Sequence, residues 1–199
     1  MKKMMFNDRY GLTQAVIHGR KTVTRRVVKD AWWPISKIEA EGMRGDLINV
    51  IANNGKLVIE RKCPYKIGEI VAVAQRYDSF LHPNNGVIEH DYQTTALASK
   101  GWDNKMFVKA DLMPHQIQIR DLRIERLQDI SDDYFKEGIT LLASADDGRI
   151  QWGYADEHLR YYMFDSPREA FASLIDKVSG KGTWDRNPFV WRIEFQLVK

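Results

Sequence analysis

The clearest pattern of apolar and polar positions lies near the C-terminal end of the chain. Apolar side chains occupy every second position from Phe189 to Leu197, which is typical of a β-strand with one buried face. Over residues 167–178 the apolar positions follow the helical period instead, and Pro167 marks the start of that helix. The two patterns predict a helix and then a strand, joined by the loop 179–188.

Shorter patterns predict further elements. Residues 11–18 carry apolar side chains at helical spacing, which predicts a short helix. Segments 47–51 and 57–59 are β-rich and flank Asn53-Asn54-Gly55, so they predict a tight hairpin. The apolar run 70–74 predicts one more strand.

The middle of the chain predicts a long strand and a short helix. Residues 115–127 alternate in polarity, but the phase slips, which predicts a β-bulge near Asp121. After this strand, Ser131 is a suitable N-cap for a short acidic helix that Gly138 ends.

Taken together, these elements predict a single domain over residues 1–199, since no linker rich in proline, glycine or serine divides the chain. Many strands with few, short helices are typical of an α+β fold, here a small mixed β-barrel with helices packed outside. The polar segment 78–104 predicts a long loop or insertion, and it is the segment that we expect to cover a ligand.

The composition narrows the functional classes. The single cysteine, Cys63, excludes an intramolecular disulfide and indicates a reducing compartment. No apolar run reaches the roughly 20 residues that cross a bilayer, and no signal peptide is recognisable. We therefore expect a cytoplasmic protein without a membrane partner. The five histidines lack ligand spacing, so we expect no metal and no cofactor.

Charge is concentrated at the N-terminal end. Residues 1–29 hold eight Lys and Arg against one acid, Asp8, whereas the remainder holds 22 basic and 26 acidic residues. Four of these cations lie in segment 19–27, directly after the first predicted helix. Such a cluster can hold a phosphate, and it can also lower the pKa of Lys21.

Three segments in this order resemble the ASCH family, a branch of the PUA-like β-barrels, and in particular the ASCH proteins of phages and prophages. They are GRKTVTRR at 19–26, LQDIS through EGI at 127–139, and GTWDRNPFVWRIEF at 182–195. The segment Cys63-Pro64-Tyr65 followed by Gly68-Glu69 resembles a loop of the same subgroup. The resemblance covers roughly residues 5–198 and implies a PUA-like mixed barrel.

The resemblance implies a cleft for RNA, other single-stranded nucleic acid, or a modified nucleoside or nucleotide. The ligand-binding residues that it implies are Arg20, Arg25, Arg26, Gln75 and Trp184. At Gln75 the chain departs from the family, which usually has a carboxylate there, so the lining of the cleft differs. For Trp184, stacking on a base and packing in the core both remain open.

The resemblance also implies an alternative function, because a bacterial ASCH enzyme hydrolyses the amide of acetylated cytidine. Its catalytic residues match Lys21, Thr24 and Glu137. A partly neutral Lys21 could deprotonate the Thr24 hydroxyl, and Glu137 could pass the proton to the leaving amine. The same residues also fit binding without chemistry, with the cations on phosphates and Glu137 pairing with an arginine. Both functions remain open at this point.

Overall fold

The computed structural model describes residues 1–28, 47–51, 57–81, 99–131, 133–143 and 148–199. These residues form ten strands: β1 Lys2–Met4, β2 Val23–Val27, β3 Leu47–Ile51, β4 Leu57–Lys62, β5 Ile70–Val73, β6 Gln116–Arg126, β7 Thr140–Ala143, β8 Ile150–Ala155, β9 Tyr161–Phe164 and β10 Phe189–Leu197. The same residues contain three α-helices: α1 Leu12–Ile17, α2 Pro167–Ser179 and α3 Thr183–Arg186. The fold is therefore α+β, as predicted.

The described strands form three separate sheets. The largest has the order β1-β5-β6-β10-β2, in which only β1 and β5 run parallel. Strands β3 and β4 pair as an antiparallel hairpin, and β7, β8 and β9 form a three-stranded antiparallel sheet. Among the described strands no ladder joins β1 to β2, so the five-stranded sheet is open and a closed barrel is not seen.

Strand β10 lies between β6 and the edge strand β2 in the large sheet. Trp191, Ile193 and Phe195 are buried on one face, which confirms the predicted alternation. The other face is not solvated throughout, because Arg192 is also buried. Its guanidinium donates to the carboxylates of Asp133 at 2.5 Å and Glu194 at 2.9 Å.

The predicted bulge in the long strand is confirmed. Asp121 of β6 pairs with Glu194 of β10, and Ile119 pairs with Phe195, so Arg120 is left without an opposite residue. The bulge thus lies next to Asp121 and returns the apolar residues of β6 to the buried face.

The predicted helix beginning at Ser131 is wrong in extent. In the described residues of this segment a single 3₁₀ turn forms, over Phe135–Glu137, and Gly138 ends it with a φ of 96°. So short a segment cannot repay the nucleation of an isolated helix. Here Tyr134 and Glu137 are instead fixed by their buried contacts.

The other predicted elements are present. Residues 11–18 contain α1, residues 167–178 contain α2, and β3 pairs with β4 as a hairpin. The turn Asn53-Asn54-Gly55 lies outside the described residues. So does most of segment 78–104, of which 78–81 and 99–104 are described.

Helix α2 packs on the three-stranded sheet, which the sequence analysis did not predict. Ser166 caps the helix by accepting a hydrogen bond from the Glu169 backbone N–H. The Tyr154 hydroxyl lies 2.9 Å from Ser173 Oγ, and the Lys177 ammonium lies 3.3 Å from the centre of the Tyr162 ring. These contacts fix the last turn of α2, which leads directly into the functional site.

Asp156 organises the turn between β8 and β9. Its carboxylate accepts hydrogen bonds from the His158 backbone N–H at 2.9 Å and from Arg160 Nε at 2.8 Å. Burial acts to raise the pKa of Asp156, but hydrogen bonds from Arg160 and His158 outweigh it and lower the pKa to about 2.

This pKa predicts how stability depends on pH. Because the folded pKa lies below the unfolded value of about 3.9, Asp156 stabilises the fold above pH ~4 and this contribution is lost as the pH falls towards 2. In Asp156→Asn we expect the unfolding free energy, measured by urea titration at several pH values, to fall less steeply over that range. Asp165→Asn is the control, because Asp165 is exposed and directly follows the last residue of β9. Equal slopes in wild type and Asp156→Asn would contradict the prediction.

Candidate functional site

The described residues form a large cavity with a volume of about 680 Å³. Three parts of the chain meet around it: the N-terminal segment through β2, Pro64, and the segment from the end of α2 into β10. Its lining residues are Met5, Phe6, Asn7, Leu12, Thr24, Arg25, Arg26, Val27, Val28, Pro64, Val178, Ser179, Thr183, Arg186, Pro188 and Trp191. Val178, predicted to lie on the buried face of α2, is instead exposed and borders this cavity.

The basic segment 19–27 enters the site as an edge strand. Gly19 has a φ of 70°, which allows the chain to turn sharply after α1. Lys21 N then donates to the Ala15 carbonyl at 2.9 Å, and β2 pairs along β10 so that Arg26 lies opposite Trp191. The cluster therefore runs from a helix end into a strand, as predicted.

Lys21 and Glu137 are in direct contact. The Lys21 ammonium lies 2.6 Å from Glu137 Oε2 and donates to the Glu137 backbone carbonyl at 2.9 Å. Both residues are buried, with exposed fractions of 3% and 2%. The 3₁₀ turn that Gly138 ends thus places a carboxylate against the start of β2.

Arg25 completes a group of four charges, three of them buried and the fourth, Glu125, partly exposed. Its Nη1 donates to Glu137 Oε1 at 2.8 Å, and its Nε donates to Glu125 Oε1 at 2.6 Å. Glu137 therefore bridges Lys21 and Arg25, and two cations are matched by two carboxylates. Such a group is stable only while it is complete, because a single buried charge without its partner is costly.

Burial lowers the pKa of Lys21. Glu137 opposes this effect by attraction and by its hydrogen bond, whereas Arg26 and Arg25 lower the pKa further. The sequence analysis attributed a lowered pKa to the neighbouring cations. Desolvation is the larger cause, and the cations add to it.

Thr24 lies on the cavity side of this group. Its side chain is nearly buried and lines the large cavity. Among the described residues its hydroxyl makes no side-chain hydrogen bond, so it is not bonded to Lys21 or Glu137. The structure therefore brings two members of the predicted catalytic set together and leaves the third on the adjoining wall.

Arg26 also faces the cavity, with few partners of its own. Its Nη2 donates to the Met5 carbonyl at 2.6 Å, and its guanidinium lies 5.9 Å from the centre of the Phe6 ring. Its Nε has no hydrogen-bond partner among the described residues, although the atom is buried. Burial lowers the pKa of Arg26, against the attraction of Tyr65 and Glu137.

The other predicted ligand-binding residues lie elsewhere. Arg20 is exposed beyond the end of α1. Gln75 is buried, accepts a hydrogen bond from His115 Nδ1 at 2.7 Å, and borders a separate cavity of about 190 Å³. Trp184 packs edge-on against Phe171, with the Arg168 guanidinium 4.8 Å from its ring centre. Within the described part of the chain, none of these three side chains lines the large cavity.

The sequence analysis missed Arg186, which lines the cavity from α3. Its Nη2 donates to Thr183 Oγ1 at 3.0 Å, and its Nη1 donates to the Lys181 carbonyl at 3.2 Å. Arg186 was within the segment that carries the family resemblance, but no periodicity or charge cluster marks it. The available signal was its place in a short connection between α2 and β10.

Asp176 holds that connection in position. Its carboxylate accepts hydrogen bonds from the backbone N–H of Gly182 at 2.9 Å and of Trp184 at 2.8 Å. Burial acts to raise the pKa of Asp176, but these hydrogen bonds and the charge of Arg186 outweigh it and lower the pKa. The end of α2 therefore fixes the loop that carries Thr183 and Arg186.

The described residues show neither a metal-binding group nor a membrane-spanning helix. They contain no group of three His, Cys, Asp or Glu side chains that could hold a metal ion. None of the described helices is both long enough and apolar enough to span a membrane.

The chain was also compared with known proteins. No family model, curated protein or solved structure matches it. A function for the chain therefore has to follow from the geometry of the cavity and its walls.

Proposed function

We propose that this chain is an ASCH-type protein of PUA-like fold that binds RNA or a modified nucleoside or nucleotide in the large cavity. One observation carries the proposal. Every charged residue among the described lining of that cavity is an arginine. Arg25 is paired with Glu125 and Glu137, whereas Arg26 and Arg186 make no ion pair with a described carboxylate. A cavity with this lining attracts an anionic ligand.

The rest of the lining supports a ligand with an apolar, planar part. Phe6 and Trp191 border the cavity beside the arginines, together with Val27 and Pro188. A volume of about 680 Å³ lies within the range of roughly 300–1,000 Å³ that is usual for small-molecule sites. A nucleobase with an attached phosphate has this combination of an apolar plane and negative charge.

Binding of RNA is the direct test. The full chain is titrated into a labelled single-stranded RNA of about ten nucleotides at low salt, and fluorescence anisotropy is measured. In Arg26→Ala we expect the affinity to fall about tenfold, because one phosphate contact is lost from the cavity wall. Raising the salt concentration should weaken wild-type binding and reduce the difference between the two proteins.

Arg120→Ala is the matched control, since Arg120 is exposed at the bulge of β6 and contacts Gln196. It removes the same charge away from the cavity and should leave the affinity nearly unchanged. Equal weakening in both variants would indicate a diffuse surface attraction and contradict the proposed site. A failure of wild type to bind RNA or any nucleoside at low salt would contradict the function itself.

A second function, amide hydrolysis on an acylated nucleoside, is favoured by the buried contact between Lys21 and Glu137. A lowered pKa of Lys21 favours the neutral amine that a general base requires. Thr24 lies on the cavity wall, where a bound acyl group would meet its hydroxyl. Arg25, bonded to the same Glu137, is available to stabilise negative charge.

The reaction would begin with attack of Thr24 Oγ1 on the acyl carbonyl carbon, while the neutral Lys21 amine takes the hydroxyl proton. The C–N bond of the amide then breaks, and the Glu137 carboxylate passes this proton from Lys21 to the leaving amine. Water then attacks the acyl-threonine ester, the carboxylic acid leaves, and the Thr24 hydroxyl is restored. These reaction steps need no metal ion and no cofactor.

Acyl nucleosides, including N4-acetylcytidine, are the substrates for the test, and release of the free amine is measured by chromatography. If wild type is active, Thr24→Val should reduce the rate by about a hundredfold or more, because valine has the shape of threonine but lacks the nucleophilic hydroxyl. Thr22→Val, two residues earlier in the chain, is the control and should keep the rate. Full activity in Thr24→Val would contradict this mechanism.

A further inference from the structure

The charges around the large cavity divide into a balanced group and an unbalanced group. Lys21 and Arg25 are matched by Glu125 and Glu137 through the contacts described above. This balanced group needs no further anion. It therefore contributes little net attraction for a ligand in the cavity.

Arg26 and Arg186 form the unbalanced group. Among the described residues neither makes an ion pair with a carboxylate, and their acceptors are the neutral oxygens of Met5, Lys181 and Thr183. The two residues lie on different elements, β2 and α3, and both line the cavity. Two positive charges without an ion-pair partner among the described residues thus line one cavity.

The described carboxylates that attract these two arginines are already engaged. Glu137 attracts Arg26, but it is held by Lys21 and Arg25. Asp176 is close enough to Arg186 for electrostatic attraction, but its two oxygens accept the backbone hydrogens of Gly182 and Trp184. Arg26 keeps a buried Nε without an acceptor among the described residues.

We infer that the ligand of this cavity carries a terminal phosphate held between Arg26 and Arg186, so that the cavity takes a nucleoside monophosphate and not an internal segment of RNA. The inference rests on the proposed binding function and names its ligand class. A terminal phosphate has about two negative charges at neutral pH, which matches the two unbalanced arginines. An internal phosphodiester has only one.

The shape of the site supports the same choice. Proteins that hold an internal stretch of RNA place cations along a groove that follows the backbone. Here the unbalanced cations meet at one cavity, and hydroxyls of Thr24, Ser179 and Thr183 border the same space as further donors. Arginine pairs such as this one suit the several oxygens of a terminal phosphate.

Isothermal titration calorimetry of the full chain tests the inference. The ligands are the four ribonucleosides, their 5′-monophosphates, and the singly charged methyl esters of those monophosphates. For at least one base we expect the monophosphate to bind about tenfold or more tightly than the nucleoside, with the methyl ester between them. Lowering the pH below the second phosphate pKa of about 6 should reduce the advantage of the monophosphate.

Arg26→Gln and Arg186→Gln should each bring the affinity for the monophosphate close to that for the nucleoside, while binding of the nucleoside stays unchanged. Arg120→Gln is the control and should bind all ligands as wild type does. Loss of nucleoside binding together with monophosphate binding would point to a folding defect, so circular dichroism and the melting temperature of each variant are measured alongside.

Three results would overturn the inference without touching the proposed function. They are equal affinities for monophosphate and nucleoside, tighter binding of an RNA that lacks a terminal phosphate, or a monophosphate advantage that survives both arginine changes. Inorganic phosphate that binds as tightly as every monophosphate would assign the site to the free anion and overturn the nucleotide assignment. If no nucleoside, nucleotide or RNA binds, the proposed function itself fails.

Discussion

Replacing Glu137 by glutamine should destabilise the protein by about 3–5 kcal/mol. The substitution keeps the size of the side chain but removes its charge. The buried Lys21 ammonium then has lost its carboxylate partner, and Arg25 keeps only Glu125. The expected loss is large because both cations have been taken out of water, and the attraction of Glu137 offsets that desolvation. Urea unfolding at neutral pH, followed by tryptophan fluorescence, measures it.

The loss should depend on pH in a definite direction. In Glu137→Gln the Lys21 pKa falls further, since its attracting partner has gone. Lys21 can then release its proton on folding at high pH, which removes its unpaired buried charge. We expect the difference from wild type to be larger at pH 6 than at pH 9.

Glu157→Gln is the matched control for this substitution. Glu157 is half-exposed and contacts only His158 as an ion pair, so the change should shift the unfolding free energy by no more than about 0.5 kcal/mol. A similar small shift for Glu137→Gln would mean that its carboxylate does not hold the two cations together. That result would also weaken the case for Lys21 and Glu137 as a catalytic pair.

The second large effect is expected for Gly153→Ala, at about 3 kcal/mol or more. A Cβ atom at this position would lie 2.1 Å from the Tyr162 carbonyl oxygen and 2.9 Å from Leu142 Cδ1. The carbonyl belongs to the backbone of β9, which pairs with β8 through Gly153 and Met163. It cannot move away without disturbing the three-stranded sheet on which α2 packs.

Gly148→Ala separates this steric effect from the general effect of adding a methyl group. Nothing lies within 4 Å of a Cβ at Gly148, and its φ of 70° is the only obstacle. That strain should cost about 1 kcal/mol. The melting temperatures of the two variants give the comparison, and equal losses would show that β8 and β9 adapt to the extra atom.

The sequence predicted elements well where local pattern and local contacts agree. Strand β10 alternates over its whole length, and α2 has both a capping serine and a proline at its start. Strand β1 has only three residues and pairs with β5 across more than sixty positions, so no local pattern indicates it. The sheet of β7–β9 was missed because Gly153 interrupts its alternation and its apolar residues are partly exposed.

The site was predictable in part for a different reason. Lys21 and Glu137 are 116 positions apart, and only the family resemblance connected them. The sequence also predicted a cationic cluster. It gives the number and order of the charged residues, but it does not show which of them form ion pairs. The distinction between balanced Arg25 and unbalanced Arg26 depends on where Glu125 and Glu137 lie. Arg186 joins the site only because α3 borders the same cavity as β2.

The composition of the cavity wall has a consequence for synthesis of the protein on the ribosome. The described lining comes from residues 5–28, Pro64 and residues 178–191, so one wall is synthesised well before the other. Among the described strands only β10 pairs with β2, so β2 stays without this partner until β10 has left the exit tunnel. The two walls of the cavity can therefore come together only after residues 178–191 have been synthesised.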